Sequence, residues 1–129
     1  MNNRFLNKIT CGDSLELVKE LEDNSLDLVV TSPPYNVDLG NNKYHKDPYD
    51  LYNDNKDHQE YIGWLQFLFG SIKEKLVTGG RVVINIGDGK NGSVSTHSDI
   101  IQLMVKELNY LLMTTIIWNK NQTGNRTAW

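Results

Sequence analysis

This chain of 129 residues contains little cysteine, little proline and little net charge. Its single cysteine, Cys11, excludes an internal disulfide and any metal site built from several thiolates. No apolar run is long enough to cross a membrane, and the first residues lack the apolar stretch of a secretory signal. A net charge of −3 argues against strong binding to nucleic acid by charge alone. We therefore expect one compact cytoplasmic domain without a membrane partner or a metal ion.

The few prolines are placed unusually, because Pro33 and Pro34 stand side by side in the stretch LDLVVTSPPYN. Proline has no backbone donor and forces the residue before it into an extended conformation. The apolar strand that leads into this pair therefore ends in a stiff turn, with Ser32 before it and Tyr35 at its end. Serine and proline are also ordinary turn residues, but the strand before them favours a chemical role.

The rest of the chain alternates between short apolar stretches and helical patterns. Short apolar runs are typical of strands, and we predict strands at 4–10, 25–31, 81–86 and 110–118. Apolar residues at helical spacing predict helices at 12–23, 58–76 and 98–108. This alternation predicts an α/β fold with a parallel, doubly wound sheet, whose ligands bind beyond the carboxyl ends of the strands.

Local signals refine these elements. Asp13 and Ser98 have the position and chemistry of helix N-caps, and Gly79 with Gly80 is expected to end the second helix. The continuous run 28–30 predicts a strand covered on both faces. The aromatic residues of the second helix are expected to pack in the core; they are Trp64, Phe67 and Phe69.

The segment from Gly87 to Gly92 matches the spacing G-x-G-x-x-G of a dinucleotide-binding loop. That fingerprint also requires a helix that opens within the motif and an acidic residue at the end of the next strand. Here the residues SVSTH precede the helix, and the next strand ends in Trp118 and Asn119. We interpret the segment as a glycine-rich surface connection that can still line a pocket.

The diproline turn suits a flat amine such as N4 of cytosine or N6 of adenine. The lone pair of such a nitrogen is delocalised into the ring, and two acceptors for its hydrogens would direct that lone pair towards an electrophile. The Ser32 hydroxyl and the Pro33 carbonyl, whose direction Pro34 fixes, are two such acceptors. Tyr35 can stack on an unstacked base, a contact worth about 1–3 kcal/mol. A rigid turn needs no rearrangement during the reaction.

The motif TSPPYN after an apolar strand resembles the catalytic motif of DNA methyltransferases that modify exocyclic amines with S-adenosylmethionine. The resemblance extends to the block from Asn7 to Asn36, to GGRVVINIGD and to IIWNKN with NRTAW. It implies that Ser32 and Pro33 accept hydrogen bonds from the target amine, that Pro34 completes the catalytic turn, and that Tyr35 stacks on a flipped base. It also implies that Gly12 and Asp13 contact the cofactor, S-adenosylmethionine.

The same resemblance implies a Rossmann-like methyltransferase fold, double-stranded DNA as partner and a prokaryotic cytoplasmic enzyme. A serine before the diproline favours cytosine N4 over adenine N6. Members with the catalytic turn first carry a second glycine-rich cofactor loop and a target-recognition region further along the chain. We therefore expect residues 1–129 to be a single catalytic subdomain, half of the full domain. It would transfer little or no methyl alone and need a C-terminal half, in cis or as a separate chain.

Two other functions stay open at this point. The amide nitrogen of a protein glutamine poses the same electronic problem, although Asn before the diproline would favour it more than Ser32 does. A non-catalytic half that binds only a partner chain or DNA is the other alternative. The polar segment 36–57 is expected to be a mobile loop in the absence of DNA, and Trp118 and Trp129 are expected to be exposed.

Overall fold

The computed structural model describes residues 4–37, 54–89 and 93–119. Helices and strands alternate along the described chain. They are α1 (Ser14–Lys19), β1 (Leu26–Thr31), α2 (His58–Lys75), β2 (Leu76–Ile84) and α3 (Thr96–Gln102). A π-helical segment, Leu103–Glu107, continues α3. Across these ranges, no helix has both the length and the apolar character needed to span a bilayer.

The two strands pair in parallel, with α2 as the crossover between them. A mixed α/β fold with parallel pairing is therefore confirmed. The ladder is regular from Leu28, which pairs with Arg81, to Thr31, which pairs with Ile84. The doubly wound sheet is not formed by the described residues, in which the sheet has two strands.

Gly79 and Gly80 lie inside β2, and the prediction that they end the second helix is wrong. The helix ends earlier, at Lys75, and the register shifts between Leu26 and Leu28. Gly79 has a φ of +82°, which favours glycine. A Cβ on Gly80 would lie 2.9 Å from the Val77 carbonyl oxygen. The two glycines thus permit an irregular stretch of strand.

Helix α2 supplies most of the core, because one of its faces is buried. Its buried apolar residues are Tyr61, Leu65, Leu68, Phe69 and Ile72, and they pack with Leu76, Ile100, Leu103 and Met104. Trp64 packs against this core as predicted. Phe67 does not, because its side chain is 75% exposed on the opposite face.

One face of the sheet is uncovered, and the prediction of cover on both faces is wrong for the described chain. Leu28, Val30 and Val83 are 55%, 68% and 48% exposed. Successive strand residues point to opposite faces, and Val29 and Val82 accordingly pack against the core.

The predicted strands at 4–10 and 110–118 do not form. Residues 4–7 are turns and a bend, and residues 109–119 have no regular structure. A strand depends on hydrogen bonds to a neighbouring strand, and within the described chain neither stretch pairs with β1 or β2. Trp118 is 70% exposed, as predicted, whereas Trp129 lies outside the described residues.

Two helices differ from their predicted extents. The helix predicted at 12–23 is the shorter α1, although Asp13 caps it as expected. The residue before α3 is Ser95, so Ser98 lies inside the helix and the prediction of its capping role is wrong.

Candidate functional site

The parallel ladder brings the carboxyl ends of β1 and β2 together. Beyond the last paired residues, the backbone N–H of Asn85 donates a hydrogen bond of 2.9 Å to the Thr31 carbonyl. Asn85 follows β2 directly, and Ser32 follows β1 directly. The diproline turn and the tip of β2 are therefore neighbours, although about fifty residues of chain separate them.

Three uncharged polar side chains meet at this edge. The Ser32 hydroxyl donates to the Tyr35 hydroxyl oxygen at 3.1 Å. The Asn85 amide Nδ2 lies 2.9 Å from the same Tyr35 oxygen and 3.4 Å from Ser32 Oγ, and it donates to both. Ser32 and Asn85 are exposed and Tyr35 is partly buried, so the group is anchored yet open to solvent.

The two proline carbonyls of the turn have different surroundings. The Tyr61 hydroxyl, on the buried face of α2, donates a hydrogen bond of 2.6 Å to the Pro34 carbonyl. Pro33 is a buried residue, and no donor within residues 4–37, 54–89 and 93–119 binds its carbonyl. The Pro34 carbonyl is thus hydrogen-bonded to the core, whereas the Pro33 carbonyl accepts no hydrogen bond from the described residues.

The glycine-rich connection after β2 packs against the turn. A Cβ on Gly87 would lie 3.3 Å from Cδ2 and Cε2 of Tyr35. Because glycine has no side chain, the Tyr35 ring can pack closely against the backbone at this position. Gly89 is buried, and its N–H donates to the Thr96 hydroxyl at 3.1 Å. The described part of this connection therefore supports Tyr35. Residues 90–92 lie outside the description.

A second set of contacts fixes the chain just beyond the turn. Asp54 is 3% exposed, and its carboxylate accepts the backbone N–H of Asn36 at 2.9 Å and that of Val37 at 3.4 Å. The Asn36 side chain accepts from the Lys56 N–H at 2.7 Å and donates to the Lys56 carbonyl at 3.0 Å. Both ends of the segment predicted as a mobile loop, 36–57, are thus tied to each other. Residues 38–53 themselves, with the lysines and tyrosines of that segment, lie outside the described residues.

Gly12 and Asp13 lie at the start of α1. Asp13 Oδ1 accepts the Leu15 N–H at 2.8 Å and so caps α1, while Oδ2 has no protein donor in the described chain. A Cβ on Gly12 would lie 3.0 Å from Leu17 Cδ1, so a larger residue there would require the Leu17 side chain to shift. No hydrogen bond links these residues to the diproline turn in the part of the chain that the structure describes.

An aspartate and a histidine join the connection after β2 to the start of α3. The His97 ring nitrogen Nδ1 lies 2.7 Å from Asp88 Oδ1. This hydrogen bond holds the pKa of the Asp88 carboxyl below its ordinary value. Across the described ranges, no three His, Cys, Asp or Glu side chains gather as a metal site.

Sequence reasoning missed the side chains that hold the turn. Asn85 stands in INIGD, where a polar residue directly follows an apolar strand, and that position was its only signal. Tyr61 lies in the helical pattern at 58–76, and Asp54 lies in the polar segment 36–57, so neither pattern indicated a contact with the turn. Their contacts join residues 27 and 18 positions apart in the chain, which no local pattern reports.

The chain resembles known proteins over most of its length. A family model described as DNA methylase matches residues 26–129. The Type II methyltransferase M.MjaVI of Methanocaldococcus jannaschii is 32% identical over 126 residues, covering 96% of this chain and 60% of that protein. M.BglII, a Type II methyltransferase of Bacillus subtilis, is 35% identical over 90 residues, covering 70% of this chain and 22% of that protein. The chain thus spans at most 60% of the length of these two relatives.

Proposed function

The chain belongs to the DNA methylase family of N4-cytosine and N6-adenine methyltransferases, and on that premise we propose that its enzyme methylates an exocyclic amine of DNA. The observation that carries the proposal is the pair of acceptors at the turn. Ser32 Oγ is exposed, and the Pro33 carbonyl has no donor among the described residues. A primary amine has two hydrogens to give, and these two oxygens are adjacent in the chain.

The two acceptors act on the geometry of the target nitrogen. Hydrogen bonds to Ser32 and Pro33 draw the planar amine towards a tetrahedral arrangement and direct its lone pair away from the turn. The Tyr61–Pro34 hydrogen bond limits movement of the backbone that carries the Pro33 carbonyl. Such prearranged dipoles favour the transition state because they do not reorganise during the reaction.

The target base reaches the diproline turn by leaving the DNA duplex. We propose double-stranded DNA as the substrate, and because chemistry on a paired base requires extrusion of the nucleotide, the target base is flipped out of the duplex. Tyr35 is partly exposed, with its ring placed against Gly87, and its ring is the stacking surface for the flipped base. We favour cytosine N4 over adenine N6 because Ser32 precedes the diproline.

The cofactor that we propose is S-adenosylmethionine, which would supply an electrophilic methyl group, the S–C bond breaking as the N–C bond forms. Asp13 fits a contact to it, because one carboxylate oxygen caps α1 while the other has no protein donor in the described chain. That oxygen suits a donor hydroxyl of the cofactor, and Gly12 directly precedes it in the chain. The methylated nitrogen then loses its surplus proton to water, since its lone pair is again shared with the ring.

The remaining part of the enzyme completes the domain. Relatives are longer than this chain, and the uncovered sheet face formed by Leu28, Val30 and Val83 is apolar. An apolar face of this kind is stabilised by burial. We propose that residues 1–129 are one catalytic subdomain of a doubly wound, Rossmann-like fold and inactive alone. The missing half, in cis or as a separate chain, brings the second cofactor loop and the recognition region. We propose that the enzyme acts in the cytoplasm of a prokaryote, since both of these relatives come from prokaryotes.

The test compares Ser32→Ala and Tyr35→Ala in the complete enzyme, with labelled S-adenosylmethionine and unmethylated phage DNA. Both variants should lose methyl transfer by at least about 100-fold. Ser71→Ala is the matched control, since Ser71 lies ten residues after Tyr61 on α2, about 15 Å along the helix axis. Label should enter DNA and not protein. Unchanged rates in both variants, or label in protein alone, would overturn the proposal.

A further inference from the structure

We propose that Tyr35 and Asn85 set the direction of the Ser32 hydroxyl, so that Ser32 meets the substrate as an acceptor. This inference rests on the proposed function of the diproline turn. It makes Asn85 a positioning residue, and it gives the Tyr35 hydroxyl a second role beside stacking by the ring.

The difficulty that this arrangement resolves is the freedom of a serine hydroxyl. It carries one donor and two acceptor lone pairs, and its hydrogen rotates to suit its surroundings. A ring nitrogen beside the target amine is an acceptor, and an unrestrained Ser32 could donate to it. That hydrogen bond would leave the amine with one acceptor fewer. A carboxylate would not have this difficulty, because it has no hydrogen.

The Ser32 hydrogen is already committed in the structure. Ser32 Oγ donates to Tyr35 Oη at 3.1 Å, and Ser32 is exposed, so its lone pairs remain open to a substrate. Asn85 Nδ2 approaches Ser32 Oγ at 3.4 Å, a long contact that occupies at most one of its two lone pairs. An acceptor position therefore stays open on Ser32.

Asn85 decides which hydroxyl of the pair donates. Its Nδ2 donates to Tyr35 Oη at 2.9 Å, so the Tyr35 oxygen receives hydrogens from both neighbours and its own hydrogen points elsewhere. Without that amide, the Tyr35 hydroxyl can rotate and donate to Ser32. The hydrogen of Ser32 would then be free to turn towards the substrate.

The position of the amide is itself fixed by the fold. The Asn85 N–H is bound to the Thr31 carbonyl at 2.9 Å, as the continuation of the parallel ladder. On the other side, Gly87 sets how far the Tyr35 ring can move, because ring atoms lie 3.3 Å from the place of its missing Cβ. The three side chains thus meet through the sheet and not through a flexible loop.

The test is a double-mutant cycle of Tyr35→Phe and Asn85→Ala in the complete enzyme, with labelled S-adenosylmethionine and unmethylated phage DNA. Each single variant should lower kcat by about 10- to 100-fold, and KM for DNA should change less than about threefold because the ring that stacks is kept. Asn85→Ala should lower kcat by less than about twofold when Tyr35 is already Phe, since the oxygen on which it acts is gone.

The control for Tyr35→Phe is Tyr110→Phe, which likewise removes one tyrosine hydroxyl, here one that binds the Phe69 carbonyl. The control for Asn85→Ala is Gln59→Ala, which likewise removes an exposed side-chain amide. Both should leave kcat unchanged. If the role of Asn85 is merely structural, Asn85→Ala should lower kcat by the same factor whether residue 35 is Tyr or Phe. Such additive losses, in an enzyme that still methylates DNA, would overturn this inference and leave the proposed function standing. A complete enzyme that methylates no DNA would overturn the proposed function, and this inference with it.

Discussion

The hydroxyl of Tyr61 donates a hydrogen bond of 2.6 Å to the carbonyl of Pro34, a residue 27 positions earlier in the chain. Tyr61 is fully buried at the start of the long helix. The contact therefore ties the diproline turn to the buried core face of α2. Two prolines stiffen the turn locally, and this hydrogen bond fixes it relative to the rest of the molecule.

Tyr61→Phe should weaken both the fold and the turn. The change leaves the Pro34 carbonyl without its donor, and an unsatisfied, partly buried acceptor costs about 1–3 kcal/mol. We expect the free energy of unfolding, from urea titration, to fall by about 1 kcal/mol. Methyl transfer should fall by about tenfold at temperatures where the variant is folded. An unchanged rate in a destabilised variant would show that the turn does not depend on Tyr61.

Asp54→Ala should destabilise the enzyme through the backbone beyond the turn. The buried carboxylate accepts the N–H groups of Asn36 and Val37, and its removal leaves both without a partner. We expect a loss of about 1–3 kcal/mol in the free energy of unfolding. Asp27→Ala is the control, because Asp27 is exposed and should stay within about 0.5 kcal/mol of wild type. Equal effects of the two changes would contradict the role of Asp54.

Gly87→Ala should lower activity, whereas Gly63→Ala should raise stability and leave activity unchanged. A Cβ on Gly87 meets the Tyr35 ring at 3.3 Å, so the ring must shift by a few tenths of an ångström, and we expect kcat to fall about tenfold. A Cβ on Gly63, inside α2, meets nothing within 4 Å. Alanine there should raise the free energy of unfolding by about 0.4–1 kcal/mol at unchanged activity. Activity assays and thermal melts of both variants check this pair, and full activity of Gly87→Ala would contradict it.

Tyr110 should make the enzyme less stable in alkali. Burial raises the pKa of its hydroxyl from 10.0 to about 12, and the hydroxyl donates to the Phe69 carbonyl at 2.9 Å. Between these two values the folded state keeps a proton that the unfolded state has lost. Stability therefore falls as the pH rises from about 10 towards about 12. Urea titrations at about pH 9 and about pH 11 should show a smaller decrease for Tyr110→Phe than for wild type. Identical pH dependence in both proteins would contradict the assignment.

Local sequence was sufficient for the elements that carry their own signals. The apolar stripe of residues 58–76 predicted α2 to within one residue of its end, and Asp13 predicted the cap of α1. The run before the prolines predicted β1, and the alternation of elements predicted its parallel partner. Each of these signals acts over a few residues, through helical spacing, a cap or the rigidity of proline.

The stretches 4–10 and 110–118 looked like strands but are not, because an apolar run becomes a strand only where a neighbouring strand offers hydrogen bonds. Gly79 and Gly80 looked like a helix end, whereas they lie in β2 where the strand register shifts. Phe67 looked like a core residue because local spacing does not show which face of α2 meets the core.

The sequence by itself determined the diproline turn: its stiffness, its place after an apolar strand and its resemblance to a methyltransferase motif. Only the tertiary structure decided which groups hold that turn. Asn85 reaches Tyr35 because β1 and β2 pair in parallel, and Tyr61 reaches Pro34 because α2 packs against one face of these strands. Hydrogen bonds between distant residues depend on how the chain folds back on itself, and no short stretch of sequence contains that information.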